Sequence, residues 1–144
     1  KQIIGFRQQM IEQRPDIFFC VQSTLTLLNA LHMPDFHRSW VEQGLVDAEH
    51  WIVNTLSNRP YLKVTTAPEY LKDQIRKKYR KHIEWLRPHD PYSKSTSGYM
   101  SILHALDVDE PFDSEIFWKE IELRDRYHKA NLLDSFPELV DLPR

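Results

Sequence analysis

Apolar positions along the chain change period several times, and each change predicts an element. Ile3, Ile4, Phe6, Met10 and Ile11 recur at helical spacing within Gln2–Gln13, and Arg14-Pro15 predicts where that helix ends. The unbroken apolar run at 17–21 predicts a strand covered on both faces. Residues 25–33 predict a helix with Leu27, Leu28 and Leu31 on one face, which Pro34 interrupts. A further helical piece at 36–43 turns Phe36, Trp40 and Val41 inward and stops on Gly44 as its C-cap.

The stretch WIVNTLSNRPYLKV, residues 51–64, supplies the second predicted strand at Trp51–Thr55. Four hydrogen-bonding side chains, Asn54, Thr55, Ser57 and Asn58, cluster where that strand ends. They mark either an ordinary loop or the rim of a site. After Pro68 comes the clearest helix, Glu69–Leu86, whose inward positions Leu71, Ile75, Tyr79, Ile83 and Leu86 lie on one helical face. Glu69 suits the positive end of its dipole, and Pro88 and Pro91 close it. Residues 92–98, YSKSTSG, predict a polar loop, and 99–106 a short helix. Asp113 is the expected cap of Ser114–His128, with Ile116, Phe117 and Ile121 inward. The apolar tail, with Leu132, Leu133, Phe136 and Leu139, is expected to dock.

Strands alternating with helices point to βα units and a parallel sheet. Two strands make a poor sheet, since three or more are normally needed for independent stability. Helix-like sequence also begins at once after Lys1, without a cap or start signal. Both features are expected of the later part of a larger α/β unit.

Composition narrows the class. The chain has 144 residues, enough for one domain with a real core. A formal charge of −2 gives no global attraction to nucleic acid or acidic membranes. One cysteine excludes an internal disulfide and fits a reducing compartment, so a cytoplasmic location is expected. No apolar run approaches the roughly 18 residues of a membrane span.

Three segments carry a resemblance to a known family. VQSTLTLLNAL (21–31) resembles a strand-to-helix segment in the later part of radical S-adenosylmethionine (SAM) proteins with a twitch-type C-terminal region. VNTLSNRPYLKVTTAPEYLKDQI (53–75) is similar to their next unit, and FWKEIELRDRYHKANLLDSFPEL (117–139) to their closing helix and its FPEL ending. The matches occur in the family's order. The resemblance implies a helix-rich α/β fold, the later βα units of a partial (β/α)6 barrel at 1–91 followed by a helical closing region at 92–144. It also implies SAM and a [4Fe–4S] cluster as cofactors, with a 5′-deoxyadenosyl radical as the reactive species. Peptides, nucleotides and small metabolites all occur as substrates in the wider family.

The family's defining C-x3-C-x2-C motif is absent, and Cys20 stands alone. The cluster would have to come from a missing N-terminal half or a partner subunit, and this chain alone should not cleave SAM. Carried over by position, Gln22, Thr24 and Asn29 would bond polar groups of SAM, while Asn54 and Leu56 would border its adenine. The plainer reading is that these residues cap helices and stabilise turns.

Other chemistry is thinner. Seven histidines are scattered without a carboxylate or cysteine cluster, so surface or helix-end positions are expected, and Cys20 is expected in the core. Lys72, Arg76, Lys77, Arg80 and Lys81 form a basic run in Glu69–Leu86. A solvated face explains it, with Ile75, Tyr79 and Ile83 buried opposite. The alternative function is a non-catalytic α-rich module that binds nucleic acid or protein through Arg76, Lys77 and Arg80.

Overall fold

The computed structural model describes residues 2–144 and shows a helix-rich α/β protein with one small parallel sheet. The elements run α1 (Gln2–Gln13), β1 (Val21–Leu25), α2 (Met33–Glu42), β2 (Trp51–Thr55), α3 (Glu69–Leu86), α4 (Lys94–Ala105), α5 (Ser114–His128) and α6 (Leu132–Ser135). Short 3-10 turns at Ala48–His50, Pro60–Leu62, Val64–Thr66 and Pro137–Leu139 link them.

β1 and β2 pair in parallel with Val21 opposite Trp51, Ser23 opposite Val53 and Leu25 opposite Thr55. Parallel neighbours need a crossover, which α2 provides. The first strand therefore lies at Val21–Leu25, later than the apolar run at 17–21 suggested. A continuous apolar strand requires cover on both faces, and this sheet is covered on only one. Leu25 and Trp51 face the core, whereas Gln22, Thr24, Ile52 and Asn54 are exposed. Ile17 and Phe18 are exposed as well.

Residues 26–32 form turns instead of the expected helix. Asn29 diverts the backbone: its Oδ1 accepts from Thr26 N at 2.8 Å and its Nδ2 donates to Thr24 O at 3.0 Å. Leu27 N donates away to Leu62 O at 2.8 Å. Pro34 then opens α2 instead of interrupting a helix, since its missing N–H costs nothing in a first turn. Gly44, at φ +67°, ends α2 as anticipated, with Gly44 N bonded to Val41 O and Leu45 N to Trp40 O.

α3 occupies its predicted span, and Leu71, Ile75, Tyr79, Ile83 and Leu86 are all buried. The expected loop at 92–98 is mostly helix, because α4 starts at Lys94. Its opening amides are met from upstream: buried Asp90 accepts Lys94 N at Oδ1 (3.0 Å) and Thr96 N at Oδ2 (2.7 Å). α4 covers β2, and Ser95 Oγ, also buried, lies 2.7 Å from Trp51 O and 2.6 Å from Ala48 O.

Asp113 caps α5 by accepting Ile116 N at 2.9 Å. Phe117, Trp118 and Ile121 are buried, but Ile116 points to solvent, since the helix's inward stripe starts one residue later. The tail docks as expected: Leu139 and Leu142 are buried, and Trp118 Nε1 donates to Pro143 O at 2.7 Å. Core residues from Leu25 to Leu142 belong to one cluster. Among the described residues no helix is long and apolar enough to cross a membrane.

Candidate functional site

The register of the parallel pair fixes the first candidate site. Gln22 lies opposite Ile52 and Thr24 opposite Asn54. Side chains alternate along a strand, so these four share the uncovered face. Among the described residues the side chains of Gln22, Thr24 and Asn54 have no hydrogen-bond partner in the protein, which leaves them free for a ligand. The other two residues of the expected set differ. Asn29 is spent on the turn after β1, as described above. Leu56 is half-buried against the core, and its backbone N donates to Leu25 O at 3.0 Å, extending the ladder past β2. The strand ends thus bring Gln22, Thr24 and Asn54 together, while Asn29 and Leu56 hold the backbone that presents them.

The fit to the implied cofactors divides accordingly. Three free amide and hydroxyl side chains in a row suit the polar groups of SAM. A [4Fe–4S] cluster does not fit this chain, since cluster ligation takes three cysteine thiolates and the sequence has one. Cys20 is only partly buried, short of the core position expected for it. Among the described residues no group of three or more His, Cys, Asp or Glu side chains is placed to hold a metal ion.

The basic run divides once folded. Lys72 is buried, correcting its solvated placement, and its Nζ donates to Val108 O at 2.9 Å. Arg76 is held by Glu69 at 2.5 Å, by Asp73 at 2.9 Å and by Leu106 O at 3.0 Å. Arg80 is exposed, and Lys77 lies at a cleft between α2 and α3. Of Arg76, Lys77 and Arg80, Lys77 alone lines that cleft. The cations that do converge are Lys77, Lys78 and Lys81 of α3 with Arg38 of α2.

Two histidines overturn the surface expectation. His37 and His82 are buried, with His82 Nε2 3.1 Å from His37 Nδ1 and Tyr99 Oη 3.2 Å from that same nitrogen. His37 stacks on Trp51 with ring centroids 4.7 Å apart. Burial pushes both imidazoles down, His37 to about 4 and His82 to about 3, so both are neutral near pH 7. The sequence held a signal for them. His37 continues the inward series Met33, His37, Trp40, and His82 lies three residues after Tyr79. Counting only apolar residues hides it.

Comparison of the chain with family models, with curated proteins and with solved structures yields no match.

Proposed function

We propose that this chain is the C-terminal part of a radical SAM enzyme and contributes one wall of its SAM and substrate chamber. The uncovered sheet face carries the reading. In an α/β barrel, helices cover the outer face of the sheet and the inner face lines the chamber. Here helices pack on one face of a parallel pair, and the opposite face bears Gln22, Thr24, Ile52 and Asn54. Parallel sheets normally have both faces covered, so the bare face of this pair has room for a further segment. The same reading has a preceding half, or a partner subunit, extend the sheet and bring the cluster cysteines, in a reducing cytoplasm.

On this reading Gln22, Thr24 and Asn54 bind and orient SAM through hydrogen bonds, and Leu56 contributes apolar contact beside the adenine. A [4Fe–4S] cluster, if held by other residues, would supply the electron for reductive cleavage of SAM, and no residue of this chain would ligate it. The coding sequence upstream, together with the product of the complete gene, tests the proposal. A C-x3-C-x2-C segment should precede this chain, and the anaerobically purified complete protein should release 5′-deoxyadenosine from SAM under reduction. Thr24→Val and Asn54→Leu should weaken SAM binding without unfolding the protein. A complete gene product without that cysteine motif, or SAM affinity untouched by both substitutions, would overturn it.

A further inference from the structure

The cleft between α2 and α3 is independent of the sheet face and has its own chemistry. It encloses about 500 Å³, within the range of small-molecule sites. Leu31, Pro34 and Trp85 supply an apolar floor, and Arg38, Lys77, Lys78 and Lys81 stand around it with Asp35 as the one carboxylate. Lys78 is paired with Asp35 at 2.5 Å, and Arg38 Nε with Glu42 at 2.7 Å. Lys77 and Lys81 have no ion-pair partner among the described residues. They are one helical turn apart, where like charges repel. Arg76, one residue before Lys77, is by contrast fully matched by acids.

Two uncompensated lysines of α3, with the Glu42-paired Arg38 of α2 facing them over an apolar floor, are an arrangement a multiply charged anion would neutralise. The faces of Trp85 are engaged by His82 and His89, whose rings stack on it with centroids 5.3 and 4.6 Å away. Trp85 is already stacked with two imidazoles, which disfavours its use for base stacking by a single-stranded nucleic acid. We propose that this cleft binds a small molecule through a di- or polyphosphate group, with Lys77, Lys81 and Arg38 as the phosphate ligands.

Calorimetric titration of the full chain with inorganic pyrophosphate, and with inorganic phosphate for comparison, tests it. Tryptophan fluorescence read in parallel, with Trp85→Phe as reference, reports on the cleft itself. Pyrophosphate should bind more tightly than phosphate and perturb Trp85. Lys77→Glu with Lys81→Glu should weaken it at least about tenfold, while Arg80→Glu, outside the cleft, should leave it unchanged. Three outcomes would overturn the proposal: no pyrophosphate binding at millimolar concentration, equal loss in the Arg80 variant, or far tighter binding of a single-stranded oligonucleotide that displaces pyrophosphate. Circular dichroism of each variant separates lost binding from lost folding.

Discussion

His82 Nε2 lies 3.1 Å from His37 Nδ1, so imidazoles from α3 and α2 share one hydrogen bond inside the core. In the neutral pair one nitrogen carries the proton and the other accepts it. A proton added at the accepting nitrogen would set two N–H groups face to face. Desolvation pulls both groups below their usual value; the charges of His37 and Arg38 lower His82 further, while Ala48 and Asp90 partly restore His37.

The pair makes stability depend on pH. Folded His37 titrates at about 4 and His82 at about 3, whereas the unfolded chain protonates them near 6.5. The unfolded state binds the extra protons, so stability is full above about pH 6.5 and falls as pH drops towards 4. Each histidine contributes about 1.4 kcal/mol per pH unit across that window. Urea unfolding should show a loss of about 2–4 kcal/mol between about pH 7 and about pH 5. Replacing both with phenylalanine should flatten that slope. An unchanged slope in the double variant would refute this origin.

Arg76 ties α3 to the chain after α4 through Leu106 O and Asp107, besides its bonds to Glu69 and Asp73. Arg76→Ala should cost about 1–3 kcal/mol in chemical denaturation, because it frees several acceptors at once. Lys77→Ala, with no ion pair to lose, should stay within about 0.5 kcal/mol. Two adjacent basic residues would then separate cleanly, one acting on stability and the other on anion affinity.

Asp90 offers a test of why α4 begins where it does. Its two carboxylate oxygens accept Lys94 N and Thr96 N from a position four residues before the helix. Asp90→Ala should cost about 1–2 kcal/mol and speed amide exchange at Lys94 and Thr96. Asp90→Asn keeps one acceptor and should lose less. Equal exchange in wild type and Asp90→Ala would mean the cap is idle.

Long amphipathic elements were legible in the sequence because their period depends on local residues alone. α1, α3 and α5 lie where apolar spacing and caps place them, and Gly44 ends α2 as expected. The misses share one cause, which is that a distant or polar partner decides. β1 is selected by its pairing with Trp51–Thr55, which the apolar run before it cannot reveal. The helix hidden in YSKSTSG depends on Asp90 upstream and on Ser95 reaching the backbone of Ala48 and Trp51. The basic run looked uniform, yet Lys72 and Arg76 are consumed by carbonyls and acids from other elements. Of the strand-end residues, sequence position alone did not separate Asn29, which locks a turn, from Thr24 and Asn54 on the open face.

Ile52 gives the sheet face its sharpest test. It sits on the uncovered side at 45% exposure, opposite Gln22 and two residues from Asn54. In the isolated chain about half of its surface is already buried, so Ile52→Thr, which keeps a β-branched side chain, should cost about 0.5–1 kcal/mol. If the sheet is one wall of a larger barrel, the same substitution removes apolar contact within the closed chamber of the complete protein. There the cost should rise to about 1–3 kcal/mol. Thermal or denaturant unfolding of both forms, with and without the substitution, gives the difference directly. Equal effects in the two forms would mean that nothing covers this face, and the barrel reading would fall with it.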